Sequence, residues 1–135
     1  ELQGAPLRCD LSGATPTQAG LLLVGDAVGA TYAFSGEGIG KAMETGIGAA
    51  EAVLAGGGDA AVQAHYRAML DALRPRFRMY RQAGSFNHHP WLINIMVWRA
   101  RHSPRILAKL SDILNERRLP GSLLTWRGLR NMLLP

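Results

Sequence analysis

The apolar positions of this chain change character near residue 60. Upstream, Leu21-Leu22-Leu23-Val24 is a short unbroken apolar run bounded by Gly20 and by Gly25-Asp26. A run that short, closed by glycine, predicts a buried strand over residues 20–26 and not a helix. Residues 27–36 are small and turn-forming and read as a loop. From Glu37 to Leu54 the pattern turns helical, with Ile39, Met43, Ile47, Ala50 and Leu54 near one face. Gly40, Gly46 and Gly48 each cost about 1 kcal/mol of helix propensity against alanine, so this helix is expected to pack closely on a strand or a bulky ligand. Gly56-Gly57-Gly58 then ends it.

Downstream the period stays helical. Val62, Tyr66, Met69, Leu73, Phe77 and Tyr80 recur at steps of three and four and predict a helix from Asp59, its N-cap, to Arg81. Pro75 is expected to kink or end that helix. A loop over 84–90 precedes an apolar stretch from Trp91 to Trp98. Ser103-Pro104 reads as a cap followed by proline in the first turn. Ile106, Leu107, Leu110, Ile113 and Leu114 mark the helix after it, and a last helix is expected over Leu123 to Leu134. No repeat of solenoid length is visible, and no apolar run approaches the roughly 20 residues that span a bilayer. The pattern therefore divides the chain into a strand–loop–helix unit of α/β type, residues 1–58, and an α-helical region, residues 59–135.

Charge follows the same division. Residues 1–60 hold two basic and seven acidic side chains; residues 61–135 hold thirteen basic and three acidic. The basic part is expected either to face an anion such as phosphate or anionic lipid, or to form a solvated arginine-rich surface. Hydrophobic residues make up 47% and charged residues 19% of the chain, proportions that exclude a disordered protein. The single cysteine, Cys9, cannot form an internal disulfide and fits a reducing, cytoplasmic compartment. Glu1 to Leu11 has neither the basic start nor the apolar core of a signal peptide. The first residue is not Met and a strand-like segment begins almost at once, so the chain reads as a piece of a longer one.

The segment Leu21 to Ala52 carries the chemistry. Its strand delivers a carboxylate, Asp26, at its C-terminal end, where ligands of open α/β sheets bind. Gly25 and Gly29 let a ligand approach the backbone. The helix opens Ser35-Gly36-Glu37-Gly38-Ile39, and its first amides and dipole favour anionic oxygen. A carboxylate for sugar-like hydroxyls beside such a helix end is what a flavin nucleotide requires.

Gly25-Asp26-Ala27, a loop, then Ser-Gly-Glu-Gly-Ile and a small-residue helix resembles the second FAD fingerprint of the geranylgeranyl reductase family of aromatic-hydroxylase-like flavoproteins. The resemblance covers residues 4–55. It implies the C-terminal part of a Rossmann-like FAD-binding domain followed by the helical region. It implies that Asp26 binds the ribityl chain, with Gly25 and Ala27 beside it, and that Gly36, Gly38 and Ile39 set backbone against the flavin ring. It further implies an oxidoreductase with NAD(P)H as reductant, passing hydride from reduced flavin to an isoprenoid alkene or acting on another lipid-like or aromatic small molecule. The family's first fingerprint, G-x-G-x-x-G, does not occur in this sequence. The resemblance thus implies that the ADP half of the site belongs to a missing N-terminal half of the same protein, without which the chain is inactive. Ala33 stands where the family has proline.

Other readings carry different predictions. A related flavin monooxygenase or halogenase would share these residues, and no acid–base pair separates them. A non-catalytic helical module would bind a membrane or a partner through the basic half, where tryptophan and arginine at an apolar boundary suit a peripheral membrane contact. Asp26 alone could be a turn residue, and Glu37 a first-turn residue favoured by the helix dipole. Gly40-Lys41-Ala42 lacks the Ser or Thr of a phosphate loop, which excludes an NTPase. His88-His89 are adjacent and diverge, His65 and His102 stand alone, and no metal site is expected. Trp91, Trp98 and Trp126 lie at helical spacing that favours packing over a nucleic-acid platform, so no nucleic-acid partner is expected.

Overall fold

The structure, a computed structural model, describes residues 4–84, 88–115 and 117. Two short strands, β1 (Thr17–Gln18) and β2 (Leu21–Leu22), are followed by a 3-10 turn over Gly25–Val28. Helices α1 (Ile39–Ala55), α2 (Asp59–Gly84), α3 (Pro90–His102) and α4 (Pro104–Leu114) complete the described elements. The expected helix over Leu123 to Leu134 lies outside the described residues. Two compact units divide the chain, Glu1–Phe77 and Arg78–Pro135.

This corrects the α/β architecture that the sequence pattern implied and the Rossmann-like FAD-binding domain that the resemblance implied. The described residues are mostly helical, and their only sheet is the antiparallel pair β1–β2, with Thr17 opposite Leu22 and Gln18 opposite Leu21. The expected strand over 20–26 is cut short for a local reason. Gly20 (φ 69°) folds it back on the residues just before it, and Gly25 (φ 57°) turns it into the 3-10 turn. Leu21 and Val24 are exposed, whereas a strand of a parallel sheet is covered on both faces. A four-residue apolar run between glycines is equally compatible with a hairpin arm.

In the first unit, α2 is the scaffold on which the N-terminal segments are tied. Tyr66, fully buried, donates its hydroxyl to the Leu23 carbonyl at 2.6 Å. Arg67 Nε donates to Thr17 Oγ1 at 2.6 Å, and the Asp59 carboxylate accepts from the Gly20 amide at 2.9 Å. These bonds fix both strands of the hairpin and its turn. Tyr32 is buried against Phe77, ring centroids 4.6 Å apart. Pro75 does not end α2. The carbonyl that proline deprives of a donor, four residues back, belongs to exposed Asp71, while Leu70 and Phe77 anchor the helix on either side by burial.

The apolar stripe of α1 points away from the core. Ile39, Met43, Ile47 and Leu54 are exposed, the first and last at 81% and 85%. The buried positions are Lys41, Thr45, Gly48 and Ala52. Of the glycines expected to pack closely, only Gly48 is pressed against another helix, at the Met69 side chain; Gly46 faces open space and Gly40 faces the Glu37 carboxylate. Gly56, Gly57 and Gly58 all adopt positive φ and release the chain from α1.

In the second unit, Tyr80 is buried and its hydroxyl donates to the Ile113 carbonyl at 3.1 Å, while α3 and α4 pack on each other. Ser103 caps the start of α4 with its backbone carbonyl, and its side chain makes no capping bond.

Candidate functional site

Three elements of the first unit meet at Asp26. The 3-10 turn starts at Gly25, whose amide donates to Thr45 Oγ1 at 3.0 Å and so clamps the turn to α1. Thr45 also back-bonds to the Lys41 carbonyl at 2.9 Å, so its hydroxyl is held in place. A Cβ on Gly25 would lie 3.1 Å from Ala42 Cβ, and its φ of 57° favours glycine. Asp26 and Ala27 follow on the exposed side of the turn. Asp26 Oδ1 accepts a hydrogen bond from the buried Thr31 hydroxyl at 2.7 Å.

The loop then returns to the start of α1. The Tyr32 amide donates to the Glu37 carbonyl at 3.0 Å and the Gly36 amide to the Tyr32 carbonyl at 2.9 Å, which closes a tight turn over 32–37. Gly36 takes φ 71° with open space where a Cβ would stand. Gly38 is the N-cap of α1. A Cβ there would lie 2.7 Å from Thr31 Oγ1 and 3.6 Å from Asp26 Oδ1, so glycine lets the carboxylate come close to the helix start. Ile39, the first residue of α1, is exposed beside it.

The residues expected from sequence therefore gather in one place. Gly25, Asp26, Ala27, Gly38 and Ile39 lie around the junction of turn and helix, and Gly36 lies in the turn leading to it. One first-turn amide is already taken: Gly40 donates to Glu37 Oε1 at 2.7 Å. Glu37 precedes the helix cap, and its carboxylate satisfies an amide of the first turn, as the helix dipole favours. Lys41 is drawn inward, its ammonium 2.8 Å from Glu44 Oε2 and 5.3 Å from the Tyr32 ring centroid.

Thr31, Thr45 and Lys41 were not foreseen as site-forming. Their signal was a polar residue at each fourth position on the side of α1 opposite the apolar stripe, and a threonine within a loop of small residues.

Cys9 lies nearby. Burial first, then the carboxylates of Asp10 and Asp26, push its thiol up, so it is held as a thiol and not a nucleophilic thiolate. A separate groove of about 520 Å³ runs between α1 and α2, lined by Met43, Ile47, Met69 and Leu73 with Glu44 and Glu51. Among the described residues no group of three His, Cys, Asp or Glu side chains could hold a metal ion, and no helix is long and apolar enough to cross a membrane.

Comparisons with protein-family models, with curated proteins and with solved structures found no match to this chain.

Proposed function

We propose that the junction of the 3-10 turn and α1 is the ring-side half of an FAD site in an oxidoreductase of the kind the sequence resembles, the geranylgeranyl reductase family. The observation that carries the reading is the approach of an exposed carboxylate, Asp26, to a glycine-capped helix start, with Thr31 fixing one of its oxygens. The donor set fits a flavin. Asp26 presents its remaining acceptor capacity to ribityl hydroxyls, which supply donors of matching type. Gly36 and Gly38 leave the backbone uncovered where a flat ring can approach, and α1 sets its positive end there. When bound, the flavin supplies hydride transfer, with NAD(P)H as reductant and an alkene of a lipid-like substrate as acceptor. The chain's own residues bind and orient the cofactor.

The reading also assigns the exposed stripe of α1. It begins at Ile39, inside the site, and continues through Met43 and Ile47 to Leu54. An ADP-binding unit of the same flavoprotein, seated on this stripe, would complete the cofactor site and cover the apolar side chains in one contact.

The test uses this chain alone. Because the adenylate half of FAD meets no residue of the ring-side site, FMN and FAD are expected to bind equally weakly. Both should shift the amide resonances of residues 25–28 and 36–39. The Asp26 carboxylate accepts a charge-assisted hydrogen bond of about 1.5–3 kcal/mol, so Asp26→Ala is expected to weaken both ligands by about ten- to a hundredfold. Tight stoichiometric FAD binding by this chain, or weak binding indifferent to Asp26→Ala, refutes the reading.

A further inference from the structure

The second unit presents a surface of different chemistry. Helix α3 has no buried residue. Its exposed positions include Trp91, Asn94, Trp98 and Arg101, at steps of three, four and three, which places them along one face. Val97 and His102 border that face and are exposed as well. Trp91 and Trp98 keep 59% and 58% of their surface in contact with solvent, although tryptophan carries the largest apolar area of any side chain and is ordinarily covered. Trp98 is held in this position. The His102 ring packs on it at 4.8 Å between centroids, and His102 Nδ1 lies 2.7 Å from the Trp98 carbonyl oxygen.

Charge continues the surface. The last turn of α3 carries Arg99, Arg101 and His102. In α4, Arg105 and Lys109 are exposed one turn apart on one face, and Leu107 is exposed on the opposite side of the helix. Between Pro90 and Leu114 the chain has four Lys or Arg residues against one acidic residue, Asp112. Exposed indole rings, exposed aliphatic side chains and long cationic side chains on one pair of short helices match the layering of a bilayer boundary. Indole sits at the headgroup level, aliphatic groups reach below it, and arginine extends its head to lipid phosphate.

We infer that α3 and the first turns of α4 form a docking face for an anionic lipid surface, lying in the headgroup plane without crossing it. The occupant is specified by complementarity of charge and by the exposed apolar surface of Trp91, Trp98 and Val97 on α3. A nucleic acid would use the arginines and indoles but gives Val97, exposed beside them on α3, no apolar phase to enter. The inference does not rest on the flavin reading, since it uses none of the residues of the first unit.

The experiment measures partition of the whole chain onto vesicles of phosphatidylcholine alone and of phosphatidylcholine mixed with phosphatidylglycerol. Binding is expected on the mixed vesicles, much less on the neutral ones, and weaker as salt rises. Removing one basic residue from the contact should lower partition about fivefold, so Arg101→Gln with Arg105→Gln should lower it about twenty-five-fold. In a chain bearing Trp126→Phe, emission of the two remaining indoles should shift to the blue on binding, and lipids brominated in the acyl chain should quench it. That second measurement needs no change in the docking face itself. Equal binding to neutral and anionic vesicles overturns the inference. So does binding without a spectral shift or quenching, and so does a single-stranded oligonucleotide that displaces the vesicles while producing the same spectral change.

Discussion

Replacing Gly38 by alanine tests the geometry on which the candidate site depends. The backbone at Gly38, φ −130° and ψ −29°, is open to alanine, so any cost must come from what the new methyl group meets. It would meet the Thr31 hydroxyl at 2.7 Å, well inside the separation of about 3.5 Å at which non-bonded heavy atoms attract. Thr31 is buried and its hydroxyl already donates to Asp26 Oδ1 at 2.7 Å. To make room the hydroxyl must leave that bond. A hydrogen bond to a charged group contributes about 1.5–3 kcal/mol, and the lower end applies here because Asp26 is exposed. Alanine is also a poorer helix cap than glycine, by less than about 1 kcal/mol. The expected loss is therefore about 2 kcal/mol, read from urea unfolding by linear extrapolation.

Two further variants separate this mechanism from a general intolerance of α1. Gly46→Ala lies in the same helix with nothing within 4 Å of the added carbon, and it should gain about 0.5–1 kcal/mol from helix propensity. Thr31→Ala removes the obstructing hydroxyl, so Gly38→Ala in that background should cost only the cap difference. The cycle should then show a coupling of about 1 kcal/mol or more, beyond the 0.3–0.5 kcal/mol within which independent sites add. Additive substitutions, or a Gly38→Ala as harmless as Gly46→Ala, would show that Thr31 does not stand between the carboxylate and the helix start.

Other expectations follow from the packing of the first unit. Tyr66→Phe leaves the Leu23 carbonyl without its donor and should cost about 1 kcal/mol. Burial pushes the Tyr66 phenol up to about 12, above the ordinary value of about 10, so its folded-state stability is whole below pH 10 and is lost as pH rises towards 12. An alkaline unfolding profile unchanged by Tyr66→Phe would contradict this. Gly48→Val drives a branched side chain into Met69 and should cost about 1–3 kcal/mol by overpacking. Met69→Ala in the same chain should return part of that loss, and thermal melts of the single and double variants check it.

The helical segments were legible because their signals are local. The stripe from Val62 to Tyr80 and the Ser103-Pro104 boundary each state a period or a stop within a few residues, and α2, α3 and α4 follow them. The proximity of Asp26 to Gly38 was legible as motif order. The sheet was not. Whether Leu21 to Val24 joins a parallel sheet or folds back on Thr17 depends on partners elsewhere, and four apolar residues carry no record of them. That Pro75 would not end the helix was hidden for a related reason: its penalty is local, but the burial of Leu70 and Phe77 on either side is tertiary.

Helix α1 shows that a helical period does not by itself say which side is buried. Ile39, Met43, Ile47 and Leu54 repeat at helical spacing, but so do Lys41, Thr45, Gly48 and Ala52, and only the second set is buried. A reading by hydrophobicity chooses the first set, since burying four large apolar side chains outweighs burying a lysine and a threonine. The choice reverses because each buried polar group has a specific partner: Thr45 holds the Gly25 amide, and Lys41 meets Glu44 and the Tyr32 ring. With those partners in place the inner face costs little. The outer face keeps its driving force unspent, and it begins at Ile39 where the carboxylate of Asp26 meets the helix start. On the flavin reading proposed above, an apolar stripe that starts beside Asp26 would lie at the seam of a two-part cofactor site. On that reading, a partner covering Met43 and Ile47 would be brought, by the same contact, to the start of α1 at Gly38.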